Sequence, residues 1–363
     1  MEILKMVAAA KTNEIQAHDA LSLSYDEWRA LIVDTWKEPR FRVDQVCGWI
    51  YDKKIFDCHA MTNLSKTLRD RLNYEMPLEL PIQIKELKSK DGTRKYLWQM
   101  KDGSRIESVL LDHLNHTTAC ISSQAGCPLA CSFCATGQGG YTRDLTTGEI
   151  LGQFLFMEQR LGRDINNVVF MGMGEPLLNE EAVFKSIRTL NHEKMRNLGG
   201  RHITVSTSGI VPGIKDLADF EVPIRLSVSL HAPNDALRNK LMPVNRKYPL
   251  SALVDALHYY KKRTGERITI EYVLIDGLND DAACADQLAS ILRNFQCHVN
   301  VIPLNSVKER NLRASPEKKV AAFVDRLAHH HISVTRRREM GDDIQGACGQ
   351  LRNSILMGGD GEE

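Results

Sequence analysis

Between Ser24 and Leu72 the apolar positions recur with the period of a helix. Ser24-Tyr25-Asp26-Glu27 reads as a capping box, and Trp28, Leu31, Ile32 and Trp36 follow on one face until Pro39 stops the run. Val43, Val46, Cys47 and Ile50 make a second apolar stripe, and Leu64, Leu68 and Leu72 a third. From Ile82 the period changes to two. Residues 82–87, 95–100 and 105–111 alternate as strands, with Asp91-Gly92 and Asp102-Gly103 as tight turns between them. Beyond Thr117 strands and helices take turns. Strands are expected at 117–123, 167–171, 202–206, 225–230, 268–274, 298–303 and 333–336, and an amphipathic helix at 147–161. Such alternation implies a parallel sheet with right-handed crossovers.

These periods divide the chain into five stretches. Residues 1–20 have no clear period and read as a loosely held extension, 20–78 as a small helical domain, and 82–116 as a β-meander. Residues 117–340 form an α/β core, an open, partial (β/α)₆ barrel, and 341–363 a C-terminal loop and tail. Composition adds bounds. The 363 residues are 43% hydrophobic, enough for one large core or two domains. Nine unevenly spaced cysteines and an opening MEILKMVAAAKTN without a long apolar stretch argue for a reducing cytoplasm rather than secretion, and no apolar run is long enough to span a membrane. The net charge of +1 gives no global reason to expect nucleic acid.

Local clusters do give one. Arg336-Arg337-Arg338, then Arg238, Lys240, Arg246 and Lys247, then Lys308, Arg310 and Arg313 fall on loops expected to rim the barrel mouth. Arg40, Arg42, Lys53, Lys54, Lys66, Arg69 and Arg71 in the helical domain read either as a solvated face or as RNA contacts.

The chemistry centres on Cys127-Pro128-Leu129-Ala130-Cys131-Ser132-Phe133-Cys134. Three thiolates at this spacing suit a cubane iron–sulfur cluster with one iron left open, and an open position separates a catalytic metal from a structural one. A zinc site would need a fourth nearby ligand, yet the next histidine downstream is His192; a redox dithiol of Cys131 and Cys134 would leave Cys127 idle. In parallel α/β folds functional side chains sit at the carboxyl ends of strands. Gly172-Met173-Gly174-Glu175-Pro176, Ser206, Ser229-Leu230-His231 and Asn305 all fall there. Each reads as a ligand contact or as an ordinary turn or cap.

CPLACSFC resembles the signature of the radical S-adenosylmethionine (SAM) enzymes. The resemblance implies a 4Fe-4S cluster on Cys127, Cys131 and Cys134. Its open iron would chelate the methionine moiety of SAM, and reductive cleavage would yield a 5′-deoxyadenosyl radical. Phe133 would lie against the adenine of the cofactor. Gly174, Glu175, Ser206, Ser229, Leu230, His231 and Asn305 would bind the rest of it, with Glu175 on the ammonium group.

SSQAGCPLACSFCATG, MGMGEPLLN, VSTSG and GDDIQGACGQL together resemble the RlmN family, dual-specificity adenine-C2 methyltransferases of 23S rRNA and tRNA. The likeness runs from the helical domain to about Leu351. It implies that Cys348 takes a methyl group from one SAM and yields hydrogen from that methyl to the radical made from a second. The thiomethylene radical would add to adenine C2, and Cys120 would release the product by forming a disulfide with Cys348. Glu107 matches the family's proton acceptor, a role for which Cys120 competes; by alternation alone Glu107 reads as a solvent-facing carboxylate. The resemblance further implies a flavodoxin- or ferredoxin-type reductant and action as a monomer. Three other readings stay open: a Cfr-type methyltransferase acting at adenine C8, a non-catalytic iron–sulfur RNA-binding protein, and a radical enzyme with a small-molecule substrate.

Overall fold

The structure is a computed structural model, and it describes residues 19–113, 115–293, 296–305, 312–337 and 340–351. Most of the expected extension, Lys308, Arg310, Arg338 and the end of the tail lie outside the described residues.

Three antiparallel strands, β1 (Ile82–Lys88), β2 (Arg94–Gln99) and β3 (Arg105–Asp112), lead through antiparallel pairing of Val109 with Cys120 into β4 (Thr117–Cys120). Two short strands, β5 (Gln124–Gly126) and β6 (Tyr141–Asp144), pair apart from the main sheet. Next come β7 (Asn167–Phe170), β8 (Ile203–Thr207), β9 (Arg225–Ser229), β10 (Ile268–Leu274), β11 (Cys297–Pro303) and β12 (Val334–Arg336), parallel to β4 and to one another. Among the described residues they make one ten-stranded sheet ordered β1-β2-β3-β4-β7-β8-β9-β10-β11-β12. Helices Thr147–Leu161, Glu180–Asn191, Val211–Ala218, Leu250–Thr264, Ala282–Leu292 and Glu317–His329 follow the first six parallel strands. The expected partial (β/α)₆ barrel is thus present, with β12 as a seventh parallel strand and the meander joined to its edge.

Local chemistry explains the main elements. Helix Thr147–Leu161 starts at a capping box of Thr146 and Glu149 and stops at Gly162, whose φ of 68° permits the left-handed cap. The first strand ends earlier than expected, at Cys120 rather than Ser123, because the Ser122 N–H donates to the Gln153 side chain instead of a neighbouring strand (2.9 Å). β2 and β3 do not alternate, since both faces are covered. Tyr96 stacks with Trp98, whose ring meets Phe156 of the first core helix edge-on, while Lys95 and Glu107 are buried on the opposite face.

Ala20 is no loose extension. Ala20–Ser22 forms a buried turn, and Asp19 accepts from Ser22 Oγ (2.8 Å) and Thr146 Oγ1 (2.9 Å). A Cβ on Gly148 would lie 2.2 Å from the Asp19 carboxylate, so this docking requires a glycine there. The expected capping box of Ser24 and Glu27 forms, and Trp28, Val43, Val46, Ile50, Leu68 and Leu72 are buried in a hydrophobic cluster that continues into the barrel.

Candidate functional site

β5 and β6 pair Gln124 with Asp144 and so pinch together the two ends of the cysteine loop. The loop is then fastened from three directions. The Cys127 N–H donates to Gly140 O (2.8 Å), the Ser132 N–H to Leu241 O (2.9 Å) and the Ala135 N–H to Gly349 O (2.8 Å). Cys127, Cys131 and Cys134 line one cavity at the carboxyl ends of the parallel strands. Burial pushes the Cys127 thiol up to about 12, and burial together with the other two thiols holds Cys131 well above the usual range.

Gly174, Glu175, Ser206, Ser229, His231, Asn305 and Phe133 line the same cavity. Gly174 has a φ of 110°, and a Cβ there would sit 2.7 Å from that of Gln124, so only glycine lets the backbone pass. Glu175 is buried; Oε2 accepts from the Ser208 N–H (2.7 Å), Oε1 from the Leu177 N–H (3.2 Å), and burial raises its pKa. Nδ1 of His231 accepts from the Val273 N–H (3.0 Å), which puts the ring proton on Nε2; burial then pushes this histidine down to about 3, so it stays neutral. Phe133 meets the His231 ring edge-on at 4.7 Å. Leu230 is fully buried and is not among the lining residues.

A second cavity, of about 1160 Å³, runs inside the barrel from the β3–β4 connection up to Cys120 and Cys348. Barrel interiors are usually filled by large aliphatic side chains. Here Thr118, Thr204, Ser227 and Thr269 face the lumen and leave it open. Glu271, Arg337, Asn305, Met171, Ile302 and Cys348 line both cavities, so the Cys348 thiol lies at their junction. Asn305 Nδ2 donates to Cys348 O (2.9 Å) and holds the loop there.

The loop has further anchors on the meander. The Gly341 N–H donates to Asp91 (2.9 Å) and Lys95 Nζ to Gln345 O (3.3 Å), while Thr136 Oγ1 donates to Leu351 O (2.5 Å) from the cysteine loop. Burial pushes the Cys120 thiol up to about 12, the neighbouring Cys348 thiol adds to this, and the Arg337 guanidinium opposes it.

Comparison with known proteins fits these features. Residues 121–286 match the Radical SAM superfamily and residues 19–77 the Ribosomal RNA large subunit methyltransferase N-terminal domain. A probable dual-specificity RNA methyltransferase RlmN from Petrotoga mobilis is 44% identical, covering 94% of this chain and 99% of its own. One from Thermotoga maritima is 47% identical over 92% of this chain and 96% of its own. The crystal structure of a radical SAM methyltransferase from Sphaerobacter thermophilus superposes with a TM-score of 0.89 at 44% identity, covering 92% of this chain and 99% of that one. The chain belongs to the RlmN family. It is a radical SAM RNA methyltransferase.

Membership of the radical SAM superfamily implies SAM and a 4Fe-4S cluster, and the residues fit both. Among the described residues no three Cys, His, Asp or Glu converge as ligands of a single ion would. Thiolates on three separate corners of a cubane need not converge. Buried thiols that resist ionising singly are also what a cationic cluster stabilises as thiolates.

Two sequence expectations change. Glu107 is not solvent-facing: it is 1% exposed, pairs with Lys95 Nζ at 3.4 Å, and is not among the described residues lining either cavity. Arg238 is no rim cation for RNA. It is fully buried and donates to the strand-end carbonyls of Ser208 (2.7 Å), Ser229 (3.1 Å) and Leu230 (3.1 Å) and to Asn245 Oδ1 (2.9 Å). It therefore ties together the ends of β8 and β9 that carry Ser206 and Ser229. Arg238→Met would orphan those buried acceptors, with an expected loss of about 3 kcal/mol in stability, read as a lower urea midpoint.

Arg336, Lys240, Arg246, Lys247 and Arg313 are all exposed, and of these Arg336 pairs with Glu317. In the N-terminal helices Arg42, Arg69 and Arg71 bond to Asn63 O, His59 O and Glu75, which supports the solvated-face reading for them. Sequence reasoning assigned no role to Glu271 and placed Arg337 only among rim cations. Glu271 carried one signal: a charged residue inside the apolar strand Ile-Thr-Ile-Glu-Tyr-Val-Leu.

Proposed function

We propose that this RlmN-family enzyme methylates C2 of an adenosine in 23S rRNA, and in tRNA, in the cytoplasm. The methyl group would pass through the sulfur of Cys348. One observation carries the reading: Cys348 stands between a cavity lined by the cysteine triad and a second cavity that also contains Cys120. A methyl carrier has to face both its donor and its acceptor.

Cys127, Cys131 and Cys134 would hold the cluster, and Glu175, Gly174, Ser206, Ser229, His231, Asn305 and Phe133 would seat SAM against it. When bound, the pair supplies methyl groups and a hydrogen-abstracting radical, chemistry that belongs to the cofactors while the chain orients them. With the first cavity so filled, the second is left for the base, which must leave its stack in the RNA to enter it. There the carbon carried on Cys348 bonds to adenine C2. Cys120, on the same cavity wall, would accept the C2 proton as its thiolate and, once deprotonated again, attack the Cys348 sulfur. The carbon leaving that sulfur would take up a proton to become the methyl group, and the one electron left over from the radical addition would leave through the cluster. This arrangement favours Cys120 over Glu107 as the proton acceptor, because Glu107 is committed to Lys95. Exposed Lys240, Arg246, Lys247 and Arg313 supply charge for the RNA backbone.

The test is anaerobic reconstitution with protein-free 23S RNA and methyl-labelled SAM under strong reduction, followed by digestion and mass analysis. The expected product is labelled 2-methyladenosine; labelled 8-methyladenosine would instead place the enzyme with the Cfr-type proteins.

A further inference from the structure

Glu271 is a buried carboxylate that the roles above leave unused. It is 4% exposed and sits in the middle of β10. Oε1 accepts from Ser227 Oγ (2.9 Å) and Asn300 Nδ2 (3.2 Å), which fixes the side chain from the two flanking strands. Oε2 has no hydrogen-bond donor among the described residues, and the guanidinium nearest to it, NH1 of Arg337, stands off at 3.8 Å. A buried carboxylate oxygen without a donor is costly. It lines the cavities that meet at Cys348, so a ligand that fills them can supply the missing donor.

Arg337 lies beside this oxygen and beside the methyl-carrying thiol. Its backbone N–H is held by Val301 O (2.8 Å), and Arg337 lines both cavities together with Glu271 and Cys348. The wall therefore presents an acceptor, a donor and the reactive sulfur together. Adenine presents the complement along one edge: the N6 amino donor, the N1 acceptor, then C2.

We infer that Glu271 and Arg337 read the Watson–Crick edge of the target adenine, Glu271 accepting from N6 and Arg337 donating to N1, so that C2 comes to rest against Cys348. This rests on the adenine-C2 reading and adds how the base is selected. Guanine would set its O6 acceptor against the carboxylate and its N1–H against the guanidinium, two like-to-like contacts that exclude it.

The test measures binding rather than turnover. Wild-type protein and Glu271→Gln are titrated with a fluorescent RNA hairpin whose loop carries adenosine, purine riboside or 1-deazaadenosine at the target position. Purine riboside lacks only the N6 donor, and 1-deazaadenosine only the N1 acceptor. Wild type is expected to bind either analogue roughly tenfold more weakly than adenosine. In Glu271→Gln, where an amide group replaces the carboxylate, the preference for adenosine over purine riboside is expected to vanish while the penalty for 1-deazaadenosine remains.

Wild type that binds all three hairpins alike overturns the inference without any variant having to fold. So does a Glu271→Gln protein that keeps its preference for adenosine over purine riboside. If the variant instead loses affinity for S-adenosylhomocysteine and keeps that preference, Glu271 belongs to the cofactor and the inference is again wrong. Failure of the underlying reading looks different, because labelled 2-methyladenosine would then be missing from wild-type digests whatever the hairpins do.

Discussion

The Cys120→Ala enzyme is expected to become joined to its RNA through Cys348, with turnover lower by roughly three orders of magnitude or more. The second cavity holds two cysteines among its described lining residues, Cys120 and Cys348. Once the carbon on Cys348 is bonded to the base, release requires a second sulfur to attack the first. No other thiol lining that cavity can do so, and the protein–RNA bond persists. A denaturing gel with labelled RNA checks this: a slow-migrating species should build up with Cys120→Ala and be missing from the Cys120→Ala, Cys348→Ala double variant. If the single variant turns over freely, Cys120 has no such role.

In the wild type the same step carries a pH signature. Cys120 is pushed up to about 12, so below that value its thiolate fraction rises about tenfold per pH unit. Where release limits turnover, raising the pH from about 7 to about 9 should shorten the life of the joined species.

Cys131→Ala is expected to cost the protein its iron and, with it, methyl transfer, by a factor on the order of a thousand. Cys131 is 7% exposed, and its loop is fastened to Gly140, Leu241 and Gly349, so the backbone cannot shift to bring a substitute ligand into place. Two thiolates would remain where a cubane with one open iron needs three. Iron and sulfide analysis of anaerobically reconstituted protein, with the visible absorbance of the cluster, reads this out independently of activity. A full complement of iron in Cys131→Ala would refute the assignment of this triad. Since the Cys131 loop bonds to Gly349, one residue from Cys348, cluster loss should also loosen that loop, seen as faster proteolysis near the C-terminus.

The sequence by itself determined whatever is encoded within a few residues. The cysteine spacing, the capping box at Ser24, the helix Thr147–Leu161 and the strand–helix rhythm of the barrel depend on local period and backbone chemistry, and they could be read directly. The tertiary structure alone decided which distant groups meet. It set Cys348 beside Cys120, by hanging the C-terminal loop from Asp91, Lys95, Thr136 and Asn305. It also decided what each charge is for. Arg238 and Glu107 look like surface residues in a linear reading, yet the first clamps strand ends in the core and the second is sealed under a lysine. Residue type states that a side chain carries a charge. Only the packed neighbours supply its desolvation and its partners, and those neighbours come from strands and loops far apart along the chain.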